Sequence, residues 1–423
     1  MQLAIVDGYS TGAALARRLH TLGVESTHIQ SQPDVHDYLQ RSFGEEHYAH
    51  NLRHIPDLEV LCDLLEHRGV SRVIAGTESG VTLAETLSLR LGLPTNSADH
   101  LAARRDKNLM AEAVRAAGLA SPLAAVAQTA EEAAAWFTAS GLTEAVVKPL
   151  TSAATDNVRF CTTADDVRAA TKSVLGARTV FGEPNHTALV QERLVGDEYY
   201  INTVSSCGLH RVAEIWRYTK QRGPGATPVY DYEEPVPATT PEAAILREFT
   251  FAVLDALGIQ ETPAQTEVML TARGPVLIET GARLGGATNP DVVERYCGAS
   301  QTGLAAAALV DPQALLTFDD TATAWTGTVR NVEFVNHRTG PADPSAPVKI
   351  AQLASAVAVA SSIDPGDVLT PTADLISSPG YAYLAADSRP EVLRDYELLR
   401  SWERAGLHTL TTAETQQGLG RTA

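Results

Sequence analysis

The stretch VLIETGARLGGATNP, residues 276–290, places two opposite charges where an apolar run turns into a glycine-rich loop. Val276, Leu277 and Ile278 read as a buried strand. Glu279 ends that run, and Arg283 follows four residues later, with Gly281, Gly285 and Gly286 around it. The preceding run, PAQTEVMLT, is also extended in pattern, so the two form a hairpin around Ala272-Arg273-Gly274. That pairing sets Glu267 and Glu279 on adjacent strands.

Upstream, the first hundred residues alternate strand and helix signals. LAIVD, ESTHI and SRVIAG read as short strands. TGAALARRLHTLG, DLEVLCDLLEHRG and SGVTLAETLSLRLG carry apolar residues at helical spacing and stop at glycine. This rhythm predicts a parallel sheet covered by helices, and such sheets bind ligands at the C-terminal ends of their strands. Helices follow at 104–118 and in EEAAAWFTASG, then a strand in EAVVKP. The segment from 187 to 208 and LHRVAEIWRYTK read as extended. QRGPGATPVYDYEEPVPATTP carries prolines at 224, 228, 235, 237 and 241 and reads as a loop. A helix at 242–258 presents Ile245, Leu246, Phe249, Val253, Leu254 and Leu257 on one face. QTGLAAAALVD is another helix. The last hundred residues mix strands with turns and end in the helix RPEVLRDYELLRSWERAG.

The 423 residues exceed one core, and an apolar share of 44% suffices to bury several. A net charge of −18 argues against nucleic acid as a partner. Any bound phosphate then needs locally placed cations. Cys62, Cys161, Cys207 and Cys297 are widely spaced and read as reduced, buried thiols of a cytoplasmic protein. The apolar start meets Asp7 too soon for a signal peptide, and no apolar run reaches membrane-spanning length.

Lysines on strands are the informative cations. Lys148 ends AVVKP, and an interior lysine is unfavourable unless an anion neutralises it. A strand-end salt bridge is the simpler reading of Lys148 alone. The order of features adds to it: Lys107 at a helix start, Lys148, the polar loop TSAATDNV, VQERLVGDE, the hairpin with Glu267 and Glu279, then Arg283. In this ordered set, over roughly residues 100–310, the chain resembles the ATP-grasp carboxylate–amine ligases, most of all the dipeptide-forming L-amino acid ligase branch.

The resemblance implies an N-terminal parallel-sheet α/β domain at 1–105 and a central subdomain with the phosphate loop at 106–190. It implies an ATP-grasp catalytic subdomain at 191–312 and an appended C-terminal α+β region at 313–423. ATP phosphates would meet Lys107 and Lys148, with Ser152 and Thr155 in the loop between strands. Gln191, Glu192, Leu194 and Val195 would line the adenine, and Glu198 would accept from the ribose hydroxyls. Facing carboxylates repel unless a cation lies between them, and magnesium takes hard oxygen ligands. Glu267 and Glu279 would therefore hold Mg2+, for which Mn2+ can substitute, and Arg283 would face the transferring phosphoryl group. Glu78, Glu214 and Arg217 are the candidates for binding amino and carboxylate groups of the substrates. Gly286 and Ala287 would line the acceptor pocket, where a small Ala287 admits a large side chain.

Two departures stand out. The phosphate loop has Ala153, Ala154 and Asn157 where glycines are common, and Gly281 replaces an asparagine that often completes the metal site. The activity implied by that resemblance is amide or peptide bond formation between small molecules, namely amino acids, in natural-product assembly, by a chain that forms a homodimer in this family. Rival readings are an ATP-grasp carboxylase or purine-pathway ligase, and a non-catalytic nucleotide-binding module. A serine hydrolase using Ser10 is a further rival, because GYSTG (8–12) matches G-x-S-x-G.

Overall fold

The computed structural model describes residues 1–152, 156–179, 182, 184–222, 228–286 and 288–410. They fall into two units, the first within 1–153, 160–215 and 236–324, the second within 154–159, 216–235 and 325–423.

In the first unit, β1 (Gln2–Val6), β2 (Glu25–Ile29), β3 (His50–Leu52) and β4 (Val70–Ala75) form a parallel sheet in the order β3-β2-β1-β4. Strand β1 is central, and Leu3 to Val6 are fully buried, which is why it reads as an uninterrupted apolar run. Helices α1 (Thr11–Thr21), α2 (Asp37–Gln40), α3 (Leu58–His67) and α4 (Val81–Arg90) connect the strands. Asp57 caps α3 by accepting from Glu59 and Val60 N–H.

Helix α5 (Lys107–Ala116) leads into a second sheet, ordered β5-β8-β6-β7. Its strands are β5 (Ala124–Ala127), β6 (Ala145–Lys148), β7 (Arg159–Cys161) and β8 (Ala188–Glu192). Helices α6 (Ala130–Ser140) and α7 (Ala164–Leu175) each open on a capping box, Thr129 with Glu132 and Thr163 with Asp166. Strands β9 (Gly196–Ser206), β12 (Pro263–Thr271) and β13 (Gly274–Gly281) then pair antiparallel. Helices α8 (Pro241–Ala256), α9 (Pro290–Cys297), α10 (Gln301–Val310) and α11 (Ala314–Thr317) complete the unit. Within α8, Ile245 is exposed, and the buried face runs from Ala243 through Leu246, Phe249, Val253 and Leu254.

The chain enters the second unit within β10 (Leu209–Arg222), between Ile215 and Trp216. There β10 pairs with β11 (Pro228–Pro235), which pairs with β14 (Thr328–Glu333). Strand β18 (Gly380–Ala386) lies between β14 and β16 (Ala356–Ser361). The two-residue strands β15 (Gly340–Pro341) and β17 (Val368–Leu369), helix α12 (Ala346–Ile350) and helix α13 (Arg389–Arg404) surround them. Val332, Phe334, Leu384, Val392 and Leu399 form the core of this unit.

These elements match the expected class: a parallel α/β start, a mixed middle with a large antiparallel sheet, and an α+β end. Two expectations need correction. The proline-rich segment is not all loop: β11 occupies 228–235, and residues 223–227 lie outside the described residues. Pro228 and Pro235 sit at the two ends of β11, where proline is tolerated in a strand, so they bound it rather than prevent it. Cys207 is exposed rather than buried. It forms the β9–β10 turn with Gly208, both at positive φ (51° and 76°), as a tight two-residue hairpin turn requires.

A buried ion pair ties α4 to the approach of α5. Arg104 donates from Nε and Nη2 to Glu85, and from Nη1 to the Leu257 carbonyl at 2.8 Å. Asn96 donates to the same carboxylate at 2.7 Å. Replacing Glu85 by Leu strands the Arg104 charge in the core, and we expect a loss of about 3–5 kcal/mol of stability. Urea unfolding checks this; a loss under about 1 kcal/mol would show that the pair is not a structural anchor.

Candidate active site

Strand pairing sets the first part of the site. Glu267 on β12 lies directly opposite Glu279 on β13 and, on its other side, opposite Tyr200 on β9. The register of the hairpin shifts between Glu267 and Val268, beside this pair. Asp106 caps α5 by accepting from Asn108 and Leu109 N–H, which fixes Lys107 as the first helical residue. Lys107 Nζ lies 3.1 Å from Glu279 Oε2 and donates to the Ser152 carbonyl at 2.7 Å. Lys148 ends β6 with only 6% of its surface exposed.

The electrostatics follow from burial and these neighbours. Burial raises the Glu279 carboxyl, but Lys107, Lys148 and Arg283 outweigh it and hold it below the usual carboxylate range. Burial dominates at Lys148 and lowers its ammonium to about 8, against the pull of Glu279, Glu267 and Glu198. A second positive charge, Lys107, adds to that lowering. Two ammonium groups and three carboxylates thus share one region, an arrangement that accepts a polyanion together with a cation.

Arg283 takes a different partner from Glu279. Its Nε donates to Glu78 Oε2 at 2.9 Å and its Nη1 to Gln265 Oε1 at 2.7 Å. Arg105 donates to the other oxygen of Glu78. Burial raises the Glu78 carboxyl, but Arg283 and Arg105 overcome it, so Glu78 is an anion clamped between two guanidinium groups. Gly281 is the residue that makes room. A Cβ there would lie 2.7 Å from Glu78 Oε2 and 3.0 Å from Arg283 Cζ. Any side chain at 281 would press on the Glu78–Arg283 contact, and one or both of those side chains would have to shift.

Gly285 has a comparable constraint. A Cβ on it would lie 2.7 Å from Asn202 Oδ1, and its N–H donates to Gln301 Oε1 at 2.8 Å. Asn202 Nδ2 donates in turn to Glu214 Oε1 at 3.0 Å. Glu214 is 4% exposed, and burial raises its carboxyl to about 8. Arg217 belongs to the second unit, where it lies 3.9 Å from Glu234 and stays partly exposed.

A cleft in the first unit is lined by Lys107, Met110, Ala124, Leu189, Gln191 and Leu277, among others. It brings Gln191 near Lys107 between apolar walls. Glu192 is tied to Arg273 Nη2 at 2.6 Å, Leu194 is half-buried, Val195 is exposed, and Glu198 is half-buried opposite Met269. Ser152 is buried and meets Lys107 through its carbonyl. Thr155 and Ala287 lie outside the described residues, and Gly286 has open space where a side chain would project. Ser10 adopts φ 50°, ψ −125° at the start of α1, a strained turn for a residue with a side chain, and its N–H donates to Ser42 Oγ. The histidine on β2, His28, bonds Asn51 through Nδ1 and not Ser10.

Arg105 and Gln265 escaped the sequence reading. Their importance rests on contacts 27 and 18 residues away in sequence. The only local sign was the density of charge in RRDKN ahead of α5. Among the described residues no group of three or more His, Cys, Asp or Glu side chains is arranged to hold a metal. No described helix is long and apolar enough to cross a membrane.

The Glu214 environment predicts a pH effect. Its folded-state pKa is raised, so the protonated form is favoured in the fold, and that contribution is lost as pH rises through about 8. Glu214→Gln removes this loss. We expect the variant to gain stability relative to the parent at pH 9 and to show a smaller difference at pH 5. Denaturant midpoints at the two pH values decide it, and a difference independent of pH would contradict the assignment.

No protein-family model matches the chain. It is 30% identical to dapdiamide A synthase of Enterobacter agglomerans over 400 residues, covering 93% of each chain. The fold is similar to that of an L-amino acid ligase from Bacillus licheniformis, with a TM-score of 0.74, 18% identity, and 95% and 97% of the two chains covered. It is also similar to the biotin carboxylase domain of the Hydrogenobacter thermophilus 2-oxoglutarate carboxylase, a structure in complex with MgADP, ADP and bicarbonate. There the TM-score is 0.63, the identity 14%, and 91% and 86% of the chains are covered. With its fold shared by a solved ligase and its sequence shared with a synthase over nearly the full length of both, the protein belongs to the ATP-grasp carboxylate–amine ligases and is an ATP-dependent enzyme of that family.

Proposed function

We propose that the enzyme joins the carboxylate of one amino-acid-type substrate to the amine of another, through an acyl phosphate, with release of ADP and phosphate. The observation that carries this reading is the gathering of Lys107 and Lys148 around the facing pair Glu267 and Glu279. A free carboxylate resists an amine because it is anionic and its oxide leaves poorly. Transfer of a phosphoryl group to it removes both obstacles, provided the reactants are held in line and the charge is neutralised.

In this reading Lys107 and Lys148 bind the phosphates from two sides, with Ser152 and Thr155 contributing from the loop. Gln191, Glu192, Leu194 and Val195 border the adenine, and Glu198 accepts from the ribose. Glu267 and Glu279 fit a divalent ion such as Mg2+ or Mn2+, because they offer hard oxygens on one hairpin and leave the remaining positions to phosphate and water. When bound, the ion supplies neutralisation of the phosphoryl group. Arg283 faces the same group, its orientation set by Glu78 and Gln265. Glu78, Glu214 and Arg217 remain the candidates for substrate amino and carboxylate groups, with Glu78 already committed in part to two arginines. Gly286 and Ala287 border the acceptor pocket. The work is that of an intracellular ligase on small molecules, and a homodimer is part of the proposal.

The test incubates the enzyme with Mg-ATP and pairs of amino acids, following phosphate and the mass of any condensed product. Phosphate release that requires both substrates, with an amide product, is expected. Release driven by bicarbonate alone would move the enzyme to the carboxylases. Glu279→Gln is expected to lower turnover at least a thousandfold, and a variant retaining a tenth of the activity would remove Glu279 from the metal site.

A further inference from the structure

The peptide unit between Leu284 and Gly285 is held on both sides. Its N–H, on Gly285, donates to Gln301 Oε1 at 2.8 Å. Its carbonyl, on Leu284, accepts from Arg283 Nη1 at 3.0 Å. A trans peptide is planar, so its N–H and C=O point in opposite directions and turn together. Whatever fixes the N–H therefore fixes where the carbonyl meets the guanidinium.

Residue 285 does not fix the peptide by itself. A Cβ there would lie 2.7 Å from Asn202 Oδ1, so the position takes glycine. Glycine reaches more backbone angles than any other residue, and a peptide that precedes it turns over readily. Such a turn would aim the Leu284 carbonyl away from Arg283, and Nη1 would keep Gln265 but lose this second acceptor.

Gln301 is placed to hold that N–H. It is 3% exposed, and its Nε2 donates to the carbonyls of Thr203 at 3.0 Å and Ala264 at 2.9 Å. Those two residues are directly opposed across β9 and β12, so the amide rests on a paired ladder. The amide has one workable orientation. Turned over, it would set its oxygen against two carbonyls and its NH2 against an N–H. The backbone of Gln301 is fixed as well. Ser300 caps α10 by accepting from Gly303 N–H, which makes Gln301 the first helical residue, and the Gln301 N–H bonds the Glu214 carboxylate. Leu284 packs in the same apolar cluster as Leu304 and Ala305 of that helix. One helix thus carries both the apolar seat of Leu284 and the acceptor for Gly285.

We propose that Gln301 is a positioning residue for phosphoryl transfer, setting the Arg283 guanidinium through the Leu284–Gly285 peptide. The hold on the peptide is independent of the reaction; its consequence for phosphoryl transfer rests on the place proposed above for Arg283. Glu78 and Gln265 grip the guanidinium directly, and Gln301 governs the third acceptor. A planar, rigid fork is misdirected by the loss of any one of them. The lysines proposed to bind nucleotide do not pass through this peptide, so nucleotide affinity is separate from it.

The test combines Gln301→Met, which keeps the length of the side chain and removes its three hydrogen bonds, with Arg283→Ala and the double variant. Phosphate release is measured well below each thermal midpoint. Gln301→Met is expected to lower kcat about a hundredfold and to leave the ATP KM within about twofold of the parent. In the Arg283→Ala background the same substitution is expected to lower kcat less than about threefold, because the group it positions is gone. Equal losses in both backgrounds, as a general loosening of the fold gives, overturn the proposal. So does an undiminished kcat in Gln301→Met. Hydrogen exchange reads the link without substrate. In the parent, the Gly285 amide is expected to exchange at least about a hundredfold more slowly than an unstructured amide, and Gln301→Met is expected to lose about tenfold of that protection. A free rate in the parent overturns the proposal even where the variant fails to fold. If bicarbonate alone drives phosphate release, the ligase reading fails, and the same cycle run on that reaction still decides the role of Gln301.

Discussion

The Arg283–Glu78 ion pair links residues 205 positions apart and determines how the charges around hairpin β12–β13 are divided. Arg283 and Glu279 lie four residues apart, yet each has its ion pair elsewhere, with Glu78 and with Lys107. A pairing between them would draw Glu279 from Lys107 and leave Glu78 with Arg105 alone. The observed division instead keeps Glu279 beside two lysines and turns Arg283 toward Gln265 and the loop that follows β13. Arg283, together with Arg105 on the other oxygen of Glu78, keeps that carboxyl below its usual range despite its burial.

This constraint explains the glycines. Gly281 is small because Glu78 and Arg283 occupy the space its side chain would need, and Gly285 is small because Asn202 and Gln265 lie beneath it. In the proposed reading a metal here would be held by Glu267 and Glu279, a donor set suited to an ion that also binds phosphate. The same loop reaches Glu214 through Gln301, whose side chain accepts from Gly285 N–H and whose backbone bonds the Glu214 carboxylate, so the backbone that presents Arg283 rests on a buried polar network.

Much of the fold was legible in the residues. Periodicity and caps identified α1, α3, α4, α5, α6, α8 and α13 closely, because each carries an apolar stripe and most end at a clear stop signal. Hairpin β12–β13 was legible because two extended runs flank Arg273. Strand β11 was not, because prolines at both of its ends look like loop signals until the pairing with β10 and β14 is seen. At the site, the order of Lys107, Lys148, Glu267, Glu279 and Arg283 pointed to a shared region. What no local pattern encoded was the partner of each charge. Glu78 stood out only as a carboxylate at a strand end, and Arg105 was passed over, because their contacts join residues far apart in sequence.

Activation of a carboxylate by phosphoryl transfer is the central claim, and isotope transfer reads it directly. With a condensing substrate pair in hand, the carboxylate donor is labelled with 18O in both oxygens and the released phosphate is analysed by mass. One 18O per phosphate is expected, because the acyl phosphate breaks between carbon and the bridging oxygen when the amine attacks. Phosphate free of label, with amide still formed, would contradict the acyl-phosphate route.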